Sequence, residues 1–239
     1  MKRDVLFEDL GVRSYKEVWD YQEELLKQNV AVKTARFRHA ADEQSSAESE
    51  DTVSRLLFVI HPPVYTLGKS GKKEHVLISD DFMHANGIEY FHINRGGDIT
   101  FHGPEQLVGY PILDLDKFKT DLGWYLRSLE EMVILTMAEY GLKGDRSPGE
   151  TGVWLEPGVK GKERKICAMG IKCSRWITMH GFALNVNTDL DYFSNIVPCG
   201  IQDKQVTSLE RELGRKVDME EVKEKMKRNF EKVFEAVLL

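Results

Sequence analysis

The spacing of apolar residues changes period several times along the chain. After Ser14-Tyr15-Lys16-Glu17, which has the spacing of a helix-capping box, Val18, Tyr21, Leu25 and Leu26 recur at helical intervals. This predicts a helix that starts near Tyr15 and fades near Val32. His39 to Asp51 (HAADEQSSAESED) is polar, acidic and nearly free of large apolar groups, the pattern of a mobile surface excursion. Arg55–Ile60 is a short, β-rich apolar run stopped by His61-Pro62-Pro63, which predicts a buried strand followed by a loop. Further strand patterns cover Glu89–Ile93, Gln106–Leu113, Gly152–Leu155, Lys165–Cys173 and Thr178–Val186, and longer helical patterns cover Asp121–Tyr140 and Met219–Leu238. Strands with helices between and after them, without regular βαβ alternation, predict an α+β fold: a mixed β-sheet with helices packed against it. No internal repeat is apparent, and residues 1–239 read as a single domain.

Composition narrows the class. Hydrophobic residues at 41% and charged residues at 30% place the chain with ordinary globular proteins rather than disordered or membrane ones. Acidic residues interrupt Met1 to Asp9 before any apolar run long enough for a signal peptide, and no later stretch approaches the roughly 20 apolar residues of a membrane span. The cytoplasm is the expected compartment, with no membrane partner. Cys167, Cys173 and Cys199 are three in number, so free thiols are expected. A formal net charge of −6 argues against nucleic-acid binding. One segment departs from that balance: Lys160, Lys162, Arg164, Lys165, Lys172 and Arg175 face a lone Glu163. It reads equally as a solvated hairpin or as a docking surface for an acidic partner.

Four segments carry candidate chemistry. Asn94-Arg95-Gly96-Gly97-Asp98-Ile99-Thr100-Phe101-His102-Gly103-Pro104 reads as a loop between strands, where Gly96 and Gly97 allow a ligand close to the main chain and Arg95 and His102 supply donors. It matches neither phosphate-binding glycine pattern, and an ordinary turn holding a satisfied histidine remains open. In Lys165-Ile166-Cys167-Ala168-Met169-Gly170-Ile171, an extended chain puts Lys165, Cys167, Met169 and Ile171 on one face. Such a lysine is either at a strand end with its ammonium in water or partly desolvated. His180-Gly181-Phe182-Ala183-Leu184-Asn185 alternates large and small residues, so Gly181 and Ala183 line one face as the wall of a slot or as a close-packing surface for a helix. Val197-Pro198-Cys199-Gly200-Ile201 presents a thiol in a turn, although most unpaired cysteines are buried and inert.

Together these segments resemble the octanoyltransferases of lipoate biosynthesis, the lipoyl(octanoyl) transferases. The resemblance is carried by His61-Pro62-Pro63-Val64-Tyr65-Thr66-Leu67-Gly68, Arg95 to Pro104, Lys165-Ile166 with Gly170, His180 to Asn185 and Ile196-Val197-Pro198-Cys199-Gly200, in the family's order from about His61 to Gln205. It implies the fold of lipoate and biotin protein ligases, with a tunnel for an acyl chain. It further implies Cys199 as nucleophile, Lys165 as its partner, and a substrate site lined by Arg95 to His102, Ala168-Met169-Gly170 and Gly181-Phe182-Ala183. The implied donor is octanoyl acyl carrier protein. The implied acceptors are lipoyl domains of 2-oxoacid dehydrogenase complexes and the glycine cleavage H protein, with no cofactor. Glu105 departs from the family pattern, in which glycine follows His-Gly-Pro. Two rival readings remain: an ATP-dependent lipoate or biotin protein ligase on the same fold, and a non-enzymatic binding module. Zinc binding has little support, because Cys167, Cys173, Cys199, His102 and His180 are too widely spaced.

Overall fold

The structure is a computed structural model that describes residues 3–41, 50–197 and 205–239, with the side chains of 39–41 left out. Cys199 and residues 42–49 of the polar stretch lie outside the described residues.

In chain order the elements are β1 (Arg3–Val12), α1 (Tyr15–Ala41), β2 (Arg55–Ile60), β3 (Val64–Leu67), α2 (Asp80–Ala85), β4 (Glu89–His92), β5 (Ile99–His102) and β6 (Gln106–Ile112). They continue with α3 (Leu122–Ala138), β7 (Gly144–Asp145), β8 (Val153–Leu155), β9 (Arg164–Ser174), β10 (Ile177–Asn185), β11 (Gln205–Val206), α4 (Leu209–Leu213), α5 (Met219–Phe234) and β12 (Ala236–Leu238). The large sheet runs β12-β1-β2-β6-β10-β9-β8-β7, with β11 beside β9. Its β12, β1 and β2 are parallel neighbours, while β2 through β8 pair antiparallel, so the sheet is mixed as expected. A smaller sheet, β4-β3-β5, stands apart from it.

Alternation along the central strands divides the core into two layers. Phe58, Leu107, Cys167, Phe182 and Leu184 pack under α3 and α5, while Leu57, Val59, Val108, Tyr110 and Ala183 pack under Val18, Leu25 and Leu26 of α1. Phe182 turns its ring toward Gly109, the residue opposite it on β6, where an added Cβ would stand 2.1 Å from the ring. Only glycine leaves room for that ring between two adjacent strands.

Several expectations need correction. The helix from Tyr15 does not fade near Val32; it runs to Ala41 because its polar turns have tertiary partners. The Asn29 amide exchanges hydrogen bonds with the Val53 backbone at 2.9 and 2.8 Å, Lys33 pairs with Asp114 at 2.8 Å, and Arg36 pairs with Asp51. The helix expected over Met219–Leu238 stops at Phe234, where Glu235 turns left-handed at φ 51°. Ala236–Leu238 then forms β12, parallel to β1. The stretch after His61-Pro62-Pro63 and part of the Arg95–His102 loop are strands: Val64–Leu67 pairs with Ile99–His102.

Candidate active site

A β-bulge decides which residues of β9 share a face. Val153 of β8 opposes Cys167, but the next residue, Trp154, opposes Lys165, so Ile166 is an extra residue on β9. The expected common face for Lys165, Cys167, Met169 and Ile171 is therefore broken. Ile166 and Cys167 both turn into the core under α3 and α5, with Met169 and Ile171 following. Lys165 falls on the opposite side with Ala168, and both border one chamber. Its backbone is fixed on two sides, by Trp154 of β8 and by Val206 of β11. Its ammonium lies 4.5 Å from the centre of the Trp154 ring, a cation–π contact.

The outer chamber, about 620 Å³ including its open mouth, is bordered by Lys165, Asp98, Thr151 and Asn185. It shares Arg95, Thr100, Ala168, Met169 and Ala183 with an inner chamber of about 350 Å³. The inner one continues along β9 and β10, away from Lys165, to Gly170, Gly181 and His180, and is also lined by Tyr15, His102 and Tyr110. The small residues at 168, 170, 181 and 183 leave the space that larger side chains would fill. Gly170 also lets Arg95 lie across the sheet, since a Cβ there would meet the Arg95 Cδ at 2.6 Å.

The Arg95–His102 segment forms the facing wall. Arg95 turns its donors inward: its guanidinium donates to the carbonyls of Gly96, Thr66 and Asp98 at 2.8, 3.0 and 2.9 Å, stapling the loop to β3. Gly97, Ile99 and Thr100 border the outer chamber, and Asp98 holds His75 Nδ1 at 2.6 Å. His102 reaches the inner chamber, whereas Phe101 points into the small sheet's core and stacks on Tyr192 at 4.5 Å. Gly96 borders neither chamber; its N–H bonds the Ile171 carbonyl. Phe182 and Met169 border the inner chamber from strand positions whose side chains belong to the helix-side core.

Electrostatically the chambers differ. The outer one contains Lys165 and Asp98. In the inner one, burial pulls the pKa of His102 and His180 down to about 3 and pushes the Tyr15 and Tyr110 phenols up, so all four are uncharged at neutral pH. Arg95, the remaining charge on that wall, is held by backbone carbonyls. The result is a mainly apolar slot, suited to an uncharged chain, that joins the chamber bordered by Lys165.

Tyr15, Thr151 and Gln106 escaped the sequence reading because a helix start and a strand start carry no chemical signal. His180 stood inside a quoted motif without a role. It adopts φ 61° in the middle of β10, opposite the interruption that Pro111 makes in β6, and its N–H donates to Gln22 of α1 at 3.0 Å. Glu105 also has a physical account. It follows Pro104 in a turn closed by Gln106 N–H on the Gly103 carbonyl and has φ 60°, a conformation glycine adopts without cost. Here Asn187 and Thr188 hold it by donating to its side chain and carbonyl.

The basic segment is divided. Arg164 bonds Glu212 and Glu156, and Lys172 bonds Glu23, while Lys160, Lys162 and Arg175 remain exposed. Among the described residues no group of three histidines, cysteines or carboxylates could hold a metal ion, and no helix is long and apolar enough to cross a membrane.

Comparison with known proteins shows the family and the fold. The lipoyl protein ligase A/B catalytic domain matches residues 14–231. An octanoyltransferase of Christiangramia forsetii is 56% identical over 239 residues, covering 100% of this chain and 99% of the relative. One of Flavobacterium johnsoniae is 55% identical over 240 residues, with 100% of both chains covered. Among solved structures, a bipartite lipoate protein ligase of Thermoplasma acidophilum superposes with a TM-score of 0.68 at 19% identity, covering 99% of this chain and 86% of that one. A lipoate-protein ligase A bound with ATP gives 0.66 at 17%, covering 100% and 88%. The expected ligase fold is therefore observed.

Proposed function

Because the chain belongs to the lipoyl protein ligase A/B catalytic domain family, alongside its octanoyltransferases, we propose that it moves an octanoyl group from a carrier thioester to a lysine of a lipoyl domain. It is an acyltransferase of protein lipoylation. The observation that supports this reading best is the mainly apolar inner chamber joined to the outer chamber that Lys165 borders.

In this reading Cys199 is the nucleophile. A thiol of ordinary pKa, about 8.5, is mostly protonated at neutral pH, and an ammonium beside it raises the thiolate fraction. Lys165 supplies that charge. The thiolate attacks the carbonyl carbon of octanoyl acyl carrier protein; the carrier's C–S bond breaks, its thiolate takes a proton, and octanoyl-Cys199 forms. An acceptor lysine amine then attacks that thioester, and Lys165, left neutral once the carrier's thiolate has taken its proton, accepts the amine proton; the C–S bond to Cys199 breaks, the Cys199 thiolate leaves, and a more stable amide results. One thioester replaces another in the first step, so no nucleotide is consumed. Lipoyl domains of 2-oxoacid dehydrogenase complexes and the glycine cleavage H protein are the acceptors.

Cys167 is a poor alternative, being fully buried on the other face of β9 with its pKa pushed well up by burial. An octanoyl chain buried at about 0.8 kcal/mol per methylene gains roughly 5 kcal/mol. That positions the acyl group without binding a whole carrier tightly, and Lys160 and Lys162 are two exposed charges of the basic segment that can meet an acidic carrier. Reversing both raises KM for the carrier-bound substrate at low salt; an unchanged KM removes them from docking.

The test is intact-protein mass spectrometry after incubation with octanoyl carrier protein and no ATP. The wild type should gain one octanoyl mass and Cys199→Ala none. An adduct that persists in Cys199→Ala, or transfer that needs ATP and survives Cys199→Ser, would replace this reading with another thiol or with a ligase.

A further inference from the structure

The far end of the inner chamber carries hydrogen-bonding groups that a hydrocarbon tip does not use. His102 Nδ1 lies 2.9 Å from Gln106 Oε1, and Gln106 Nε2 donates to the Phe101 carbonyl and to Asn185. The Gln106 oxygen is thereby an acceptor, the proton of neutral His102 sits on Nδ1, and Nε2 is a bare lone pair. The same logic applies to His180. Its Nε2 is 3.2 Å from Asn94 Oδ1, while Asn94 Nδ2 donates to Glu23, so His180 Nδ1 is the lone pair. That Nδ1 is buried with no hydrogen-bond partner among the described residues.

Two tyrosines complete the set. Tyr15, 1% exposed and stacked on His102 at 5.9 Å, has a hydroxyl with no hydrogen bond among the described residues. His61 Nδ1 must donate to the Arg13 carbonyl, so its Nε2 accepts from the Tyr110 hydroxyl at 2.9 Å, leaving the Tyr110 oxygen free to accept. The wall thus offers acceptors on His102, His180 and Tyr110 together with the Tyr15 hydroxyl. A methyl tip leaves these buried groups unsatisfied, which is costly, whereas a hydroxyl at the tip both donates and accepts.

We propose that this site also takes medium-chain acyl groups bearing a terminal hydroxyl, which hydrogen-bonds to the Tyr15, His102 and His180 end of the chamber. The inference rests on the octanoyl-transfer reading and adds a second substrate class to it. It also identifies Tyr15 as a specificity-determining residue.

The experiment compares kcat/KM for carrier protein loaded with octanoyl and with 7-hydroxyheptanoyl, whose chain has the same number of heavy atoms. A purely apolar tunnel would disfavour the hydroxyl by about 10- to 100-fold. This chamber is expected to use the two within about threefold, and Tyr15→Phe, which keeps the ring, should lower the hydroxyacyl-to-octanoyl ratio by about tenfold. Circular dichroism and the denaturation midpoint report that Tyr15→Phe folds, and the wild-type ratio stands without it. A wild-type preference for octanoyl near 100-fold, or a ratio unchanged in an active Tyr15→Phe, overturns the inference and leaves octanoyl transfer intact. Absence of octanoyl transfer by the wild type instead removes the reading beneath it.

Discussion

The two faces of β9 are made from one short run of residues and have opposite chemistry. On the helix side, Ile166 and Cys167 are fully buried, and desolvation holds the Cys167 thiol in its neutral form. On the other side, Lys165 and Ala168 border the outer chamber. A single extra residue, Ile166, separates the two environments. Without it, strict alternation would place Lys165 beside Cys167 and drive its ammonium toward the core under α3 and α5. A lysine two residues from a cysteine is therefore no sign of a reactive pair here, because strand face decides which groups meet.

The strongest challenge to this contrast is removal of the chamber-side charge. Lys165→Ala should lower octanoyl transfer by about 10²- to 10⁴-fold, as expected when a proton-transfer partner is lost. Its denaturation midpoint should change little, since the side chain borders a cavity and does not fill the core. Lys165→Arg should rescue poorly, because a guanidinium keeps its proton. Steady-state kinetics with carrier-bound substrate measures both, and a Lys165→Ala enzyme within tenfold of wild type would deny the lysine its proposed role.

The central strands and the starts of the three long helices were legible in the sequence, because periodicity and turn residues are local signals. The places where pairing partners take over were not. β1 was hidden by Asp4, Glu8 and Asp9 in a strand whose Val5 alone is fully buried. Ala236–Leu238 continues an apolar helical pattern, yet its backbone pairs with β1 after Glu235 turns left-handed. In the site, Gly181 and Ala183 were legible as a small-residue face. The bulge at Ile166 was not, since an inserted residue becomes visible only against the strand it opposes. The reading of Cys199, made from its flanking turn residues, falls outside the described residues.

The inner chamber and its surroundings also differ from the outer one in their response to acid. His61, His102 and His180 have pKa values lowered to about 4, about 3 and about 3, chiefly by burial. Unfolded, each protonates near 6.5, so between pH 6.5 and the folded values the unfolded chain binds more protons. The stability from keeping them neutral is complete above pH 6.5 and is lost as pH falls below it. Urea unfolding from pH 6.5 to 5 should show a slope approaching three protons, about 4 kcal/mol per pH unit. A slope below one proton, about 1.4 kcal/mol per unit, would mean that these rings are hydrated in the folded state.

Filling the chamber should have a smaller effect that depends on chain length. Ala183 pairs with Ala168 across β9 and β10, at the junction of the two chambers. Ala183→Leu should reduce kcat/KM for octanoyl carrier by about 10- to 100-fold while sparing a butanoyl substrate, because the added methylenes occupy the tail's space. An equal loss for both chain lengths would place the acyl tail elsewhere.

The smallest effect should come from the helix side of β9. Cys167→Ala removes one buried sulfur from the core under α3 and α5 and should cost about 1 kcal/mol of stability, near the low end for core truncations. Octanoyl transfer should stay within about twofold of wild type, since this thiol faces away from Lys165 and its pKa lies well above the ordinary thiol range. The native protein should also leave Cys167 unmodified by iodoacetamide until it is unfolded, which peptide mapping resolves. If a folded Cys167→Ala loses transfer by tenfold or more, the two faces of β9 are not chemically separate, and the bulge at Ile166 does not isolate the reactive side from the core.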